Sequence, residues 1–175
     1  MRNLKNNSSK DTGVFKISEI SLGGGTMGIC PVPGRFSSYT EDFKLILAWR
    51  PDFVITLTDY PELEKVNVHE FPNDLKKEKI GWKHFPIVDF GIPDGSCGVW
   101  GEISKHTHAS LAVGGRVLCH CYGGCGRSGM VVMRLMCEIG EGGNEALVRL
   151  RKIRECAVET SAQKRWAEAP SYRKF

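Results

Sequence analysis

The most constraining feature of this sequence is a junction. A continuously apolar or small run, Val117–His120 (VLCH) within Arg116–His120, enters the glycine-rich stretch HCYGGCGRSG and leaves it as the almost wholly apolar run Gly129–Ile139. A run without alternation is expected of a strand buried on both faces, which belongs in a largely parallel sheet. The run that follows is hydrophobic all round, as in a central helix stopped by a glycine, here Gly140. A buried strand feeding a buried helix needs covering layers on both sides, and so points to an α/β sandwich.

The rest of the chain fits that frame. Phe53–Leu57 (FVITL) is a second continuous strand, and Val14–Ile20 and Trp82–Val88 read as strands bounded by turn residues. Ser38 with Glu41 forms a capping-box pattern opening a helix through Trp49, with Tyr39, Phe43, Ile46 and Leu47 on one stripe, closed by Pro51. Further helices are expected around Trp100, Ile103 and Leu111 up to Gly114-Gly115, over Asn144–Arg154, and over Thr160–Ala169. The expectation is a central, mostly parallel, twisted sheet of four to five strands flanked by helices. The 175 residues fit one domain, read as residues 14–175, behind a polar tail, residues 1–13, rich in Asn, Ser and Lys. No repeat at a period of ~20–50 residues points to a solenoid or propeller.

Composition excludes little beyond disorder: 41% apolar and 25% charged residues are globular values. Twenty-four Lys and Arg against 20 Asp and Glu give +4, too mild an excess for a nucleic-acid binder. No apolar run approaches the ~20 residues of a membrane span, and the N-terminus reads as lacking an export signal. Seven cysteines, an odd number, leave at least one thiol free, and with no export signal imply a reducing, cytoplasmic setting.

The junction also carries chemistry. A helix that starts after a glycine-rich loop offers unpaired backbone N–H groups and a positive dipole end, which together make an anion site. Gly123, Gly124 and Gly126 permit the close approach such a cradle needs, and Tyr122 and Cys125 complete it. Cys121 stands at its entry, where those N–H groups favour the thiolate. Arg127 can grip two phosphate oxygens with its planar fork. A sulfur nucleophile, an N–H cradle and a bidentate arginine suit phosphoryl transfer.

The pattern His-Cys-x5-Arg-Ser-Gly, here His120 to Gly129, resembles the cysteine-dependent protein tyrosine phosphatases. HCYGGCGRSG is most similar to the compact dual-specificity branch, including the cyclin-dependent kinase inhibitor-associated phosphatases. The resemblance extends to KHFPIVDFGIPD upstream and AVETSAQ downstream. It implies attack by Cys121 on phosphorus, a cysteinyl-phosphate intermediate and its hydrolysis by water. It implies a general acid on a mobile loop, for which Asp89 is preferred to Asp94; both also suit a turn. Ser128 matches the hydroxyl that stabilises the leaving thiolate, or it caps the helix start. His120 matches a loop-ordering histidine, or is simply buried. Gln163 matches a glutamine that positions water, or completes a capping box with Thr160.

Other constellations are weaker. Cys119, His120, Cys121 and Cys125 lack the paired spacing of a structural zinc site, so no metal or other cofactor is expected. His106 and His108 do not share a helix face and are read as solvated. Arg149, Arg151, Lys152 and Arg154 read as a solvated basic face. Cys125 is read as an inert small residue in preference to a thiol that bridges reversibly to Cys121. Cys119 is a buried strand residue, and Cys30, Cys97, Cys137 and Cys156 are packing or surface thiols.

The leading expectation is therefore a phosphatase acting on phosphotyrosine, and on phosphoserine or phosphothreonine, in a protein substrate. Alternatives are a phosphatase for inositol lipids or RNA 5′-phosphates, disfavoured because the loop interior lacks Lys and Arg, and a phosphate-binding pseudophosphatase. A rhodanese-like sulfur carrier fits the spacing less well. The partner is expected to be phosphoprotein, neither nucleic acid nor membrane, and the chain a monomer.

Overall fold

The computed structural model describes residues 13–95 and 97–169. Residues 1–12, most of the expected tail, lie outside the described residues. A five-stranded sheet in the order β1-β2-β5-β3-β4 forms the middle layer. The strands are β1 (Ser18–Leu22), β2 (Gly25–Pro31), β3 (Phe53–Thr56), β4 (Gly81–His84) and β5 (Arg116–Cys121). β1 runs antiparallel to β2 and every other pairing is parallel, which is the mostly parallel α/β sandwich expected. The helices are α1 (Tyr39–Trp49), α2 (Tyr60–Lys65), α3 (Phe71–Lys77), α4 (Cys97–Ala112), α5 (Gly126–Glu138), α6 (Gly143–Ile153) and α7 (Ser161–Glu168).

Each face of the sheet carries its own core. Ile29, Ile55, Val117 and Cys119 pack with Met130, Val131 and Leu135 of α5 on one side. Val54, Leu118 and Cys30 pack with Ile46, Leu63, Phe71 and Leu75 of α1, α2 and α3 on the other. Side chains alternate along a strand, so β5 sends Cys121 into the α5 core while the His120 ring lies 5.5 Å from Phe71 of α3. No helix among the described residues is long and apolar enough to cross a membrane.

Several boundaries move. The first strand forms over Ser18–Leu22 rather than Val14–Ile20. The fourth is a ladder only over Gly81–His84; beyond it Phe85 and Ile87 donate to the Thr56 and Leu57 carbonyls and lead the chain to Asp89. α5 begins at Gly126, three residues before the apolar run, which places Arg127 and Ser128 in its first turn.

Three elements have no counterpart in the sequence reading. β2 is diluted by Gly25, Gly28 and Pro31, yet it pairs on both edges. Gly28 is small of necessity, since a Cβ there would stand 2.8 Å from the Trp49 ring and 2.9 Å from Leu118. α2 and α3 are short and carry proline at their starts, where its fixed φ suits a first turn.

Candidate active site

β5 ends at Cys121, four residues turn, and α5 begins, so the sulfur and the helix start face one pocket. Gly124 takes φ +67°, and a Cβ there would lie 2.5 Å from the Cys30 backbone, so the turn packs on β2 only as glycine. Arg154 donates from Nε to the Gly124 carbonyl at 2.7 Å and from Nη2 to the Gly123 carbonyl at 2.9 Å. Holding those carbonyls to one side leaves the loop's amides for an incoming anion. Among the described residues the Gly123, Gly124 and Cys125 N–H groups donate to no protein acceptor.

Cys121 is 2% exposed, and its Sγ lies 3.4 Å from Ser128 Oγ. The Ser128 hydroxyl therefore faces the sulfur rather than capping the helix, whose N-cap is Cys125 without a side-chain bond. Arg127 is 1% exposed. Its Nη1 and Nη2 meet Glu62 Oε2 and Oε1 at 2.7 and 2.8 Å, Nη1 also donates to the Ile87 carbonyl at 2.9 Å, and Nη2 lies 3.1 Å from Asp89 Oδ1. Burial works against this charge, but the Glu62 hydrogen bonds and the facing Cys121, Glu62 and Asp89 outweigh it and raise its pKa. Arg127 Nε is buried and has no partner among the described residues. A buried guanidinium N–H without an acceptor is costly unless a ligand completes it.

Asp89 is 58% exposed, on a turn closed by Gly91 N–H to the Val88 carbonyl at 2.8 Å. Its neighbour Phe90 takes φ +57°, a sparsely populated conformation for a bulky side chain. Both line the pocket with Cys121, Tyr122, Cys125 and Gly126, whereas Asp94 does not. Gln163 is buried and engaged at both ends. Oε1 accepts from Glu159 and Thr160 N–H, and Nε2 donates to the Gly91 carbonyl at 3.3 Å. It completes the capping box of α7 and also braces the Asp89 turn.

His120 is buried, with Nε2 2.8 Å from Thr56 Oγ1, which also accepts from Trp82 Nε1 at 2.9 Å. Burial pushes its pKa down to about 4, so the imidazole is neutral at pH 7. The Tyr122 ring carries the Arg35 guanidinium at 4.6 Å and Lys65 Nζ at 5.3 Å. These contacts brace the loop from the β3 side and the surface.

Several expectations are corrected. Cys125 is neither inert nor bridged to Cys121: it is disulfide-bonded to Cys156, a residue read as having no partner. The basic run is a solvated face only in part: Arg151 and Lys152 are exposed, but Arg149 pairs with Glu141, Arg151 also donates to the Ala157 and Val158 carbonyls, and Arg154 holds the cradle. His108 is not solvated either, since it meets Glu138 at 3.0 Å, whereas His106 is exposed as expected, its ring edge-on to Phe53. Glu62, Arg154 and Cys156 escape the sequence reading. Asp59 and Glu62 do carry a capping-box spacing that marks α2, but nothing local says that Glu62 also reaches Arg127.

The fold and this cradle define a cysteine-dependent protein tyrosine phosphatase of the dual-specificity branch. A family model described as cyclin-dependent kinase inhibitor 3 matches residues 25–143, and the chain belongs to that family. The cyclin-dependent kinase inhibitor 3 of Rattus norvegicus is 30% identical over 146 residues, covering 78% of this chain and 68% of that protein. That of Mus musculus is 31% identical over 116 residues, covering 63% and 54%. Among solved structures, kinase associated phosphatase with its catalytic-site cysteine replaced by serine superposes with a TM-score of 0.78 at 24% identity, over 90% of this chain and 94% of that one. The phosphatase Tk-PTP in its active form gives 0.62 at 29% identity, over 85% and 92%.

Proposed function

We propose that this chain is an active phosphatase that hydrolyses phosphotyrosine, and phosphoserine or phosphothreonine, in proteins through a cysteinyl-phosphate. The observation that carries the reading is the buried, unpartnered Nε of Arg127 in the first turn of the helix whose Ser128 faces Cys121 Sγ. A phosphoryl group in the cradle would accept from that Nε and from the loop amides, which stabilise charge developing on its oxygens.

In the first step Cys121 Sγ attacks phosphorus, the bond to the substrate oxygen breaks, and Asp89 gives that oxygen a proton. Asp89 already touches the same guanidinium that would bind the phosphate, so acid and electrophile share one anchor. In the second step water attacks phosphorus, Asp89 takes up its proton, and Ser128 Oγ donates to the departing sulfur. Glu62 holds Arg127 in register, Gln163 holds the Asp89 turn through Gly91, and neutral His120 ties the end of β5 to β3. No cofactor takes part. The protein works as a monomer in the reducing cytoplasm, because Cys121 has to stay reduced.

Replacing Cys121 with Ser should abolish turnover of p-nitrophenyl phosphate while phosphate binding, read by calorimetry, persists. Undiminished turnover in that variant would remove Cys121 as nucleophile. A panel of phosphotyrosine, phosphoserine and phosphothreonine peptides, with inositol phosphates and 5′-triphosphate RNA beside them, fixes the substrate class. Preference for either non-protein substrate would contradict the reading.

A further inference from the structure

Trp82, Thr56 and His120 stand on β4, β3 and β5, three neighbouring strands of the sheet. Thr56 lies opposite His120 in the ladder and Trp82 lies opposite Val54, so all three side chains share the face that packs on α1, α2 and α3. Trp82 Nε1 donates to Thr56 Oγ1 at 2.9 Å, and Thr56 Oγ1 lies 2.8 Å from His120 Nε2. Thr56 and His120 are buried, and Trp82 is half-buried on the edge strand. A line of polar groups thus runs from the sheet edge to the residue before Cys121, and the mechanism above uses only its last member.

Counting protons along that line decides which way it points. A hydroxyl has one proton to give and two lone pairs, whereas an indole N–H can only donate. Trp82 therefore takes a lone pair of Thr56. Among the described residues Thr56 Oγ1 meets no further acceptor, so its proton goes to the lone pair of His120 Nε2. The reverse arrangement, with Nε2–H donating to Thr56, would leave the Thr56 proton buried and unpaired, which is costly. Burial holds the imidazole neutral, with a pKa of about 4; the Cys121 main chain favours a proton on the ring, while the Arg127 and His84 charges side with burial. A neutral ring keeps one proton, and with Nε2 accepting, that proton sits on Nδ1. Nδ1 is buried and completes no hydrogen bond among the described residues. Nε2 being turned to Thr56, the ring meets the Cys121 main chain with its Nδ1 side.

We propose that Trp82 and Thr56 are positioning residues for catalysis: through the Thr56 hydroxyl they fix His120 as its Nδ1–H tautomer and aim that N–H at the Cys121 main chain. This rests on Cys121 being the nucleophile of the proposed phosphatase. The aimed N–H continues a pattern around the loop. The Tyr122 carbonyl accepts from Val32 N–H at 3.3 Å, and Arg154 holds the Gly123 and Gly124 carbonyls. Each tie keeps a carbonyl away from the incoming anion and leaves the amides for it. In the other tautomer a ring lone pair would face the Cys121 main chain, repel its carbonyl and shift the strand end that carries the sulfur.

The test uses the full chain labelled with nitrogen-15 at histidine. The two-bond nitrogen–proton couplings of His120, identified by their loss in His120→Asn, report the tautomer, and p-nitrophenyl phosphate turnover is read beside them. The wild type should show Nδ1–H. Thr56→Val keeps the shape and removes the hydroxyl; it should admit the Nε2–H form and lower kcat/KM about tenfold, as misaimed reacting groups do. Trp82→Phe keeps a ring and drops only the N–H, so it should populate both tautomers with a smaller loss. Thr56→Ser restores the hydroxyl and should bring back the wild-type couplings and turnover. Nε2–H in the wild type would overturn the proposal. So would a Thr56→Val protein that loses urea stability while its tautomer and kcat/KM stay at wild-type values, since Thr56 would then only pack. The wild-type couplings and Trp82→Phe read the relay even where Thr56→Val does not fold. Absence of turnover in the wild type would strike the phosphatase reading instead, and the couplings would still decide the tautomer.

Discussion

The two ends of α5 each hold a buried charge, and they are built in opposite ways. At the C-terminal end Glu138 accepts from Trp100 Nε1, Ser104 Oγ, His108 Nε2 and Arg134 Nε. Burial alone would raise its pKa, but these four donors overcome it and hold the carboxyl down at about 2. A carboxylate at a helix C-terminus opposes the dipole, so this network fastens α4 to α5 against a local preference. At the N-terminal end Arg127 is more deeply buried, its side chain 1% exposed against 9% for Glu138, yet among the described residues it keeps an unpartnered Nε and shares Asp89 with solvent. A complete network holds the fold, whereas an incomplete one awaits a ligand.

That contrast breaks most readily at Arg127. Arg127→Lys keeps the charge but loses the fork, and kcat/KM for p-nitrophenyl phosphate should fall about 10³-fold; a loss under tenfold would mean that the planar geometry is idle. Asp89→Asn should lower kcat with phosphopeptides by about 10²-fold and less with the better p-nitrophenol leaving group, while Asp94→Asn stays within about twofold. Equal effects at 89 and 94 would undo the choice between them. At the other end, Glu138→Gln should cost roughly 3 kcal/mol in urea unfolding and leave kcat of the folded protein unchanged. A lowered kcat at wild-type stability would erase the distinction between the two ends.

The smallest effect is a pH dependence. The unfolded His120 imidazole binds its proton near pH 6.5 and the folded one only near pH 4. The unfolded state takes up more protons across that window, so stability present above pH 6.5 is lost as pH falls through it. Between pH 7.5 and 5 this amounts to about 2 kcal/mol from His120. His120→Asn should flatten the urea midpoint over that range relative to wild type; parallel curves would contradict the assignment.

What the sequence reveals follows the range over which each feature is encoded. The cradle is local: Cys121, three glycines, Arg127 and Ser128 lie within eight consecutive residues between two apolar runs, so its chemistry and its strand–loop–helix setting are readable together. β2 is not readable, because Gly25, Gly28 and Pro31 make a poor strand, and its pairing is imposed by β1 on one edge and β5 on the other. Glu62, Arg154 and Cys156 reach the cradle across 65, 30 and 31 residues of sequence. Their local context announces a short capped helix and a basic surface run. Only the folded chain shows that these residues brace one loop.

The central claim is that the unfinished end of α5 holds a phosphoryl group on its way through Cys121, and trapping that group tests it most directly. Ser128→Ala should slow release of the sulfur, so the cysteinyl-phosphate accumulates during turnover of p-nitrophenyl phosphate. The account predicts a burst of p-nitrophenol of about one per enzyme and, after acid quench and peptide mapping, phosphorus on Cys121. Phosphorus on any other side chain, or full turnover with none on Cys121, would contradict it.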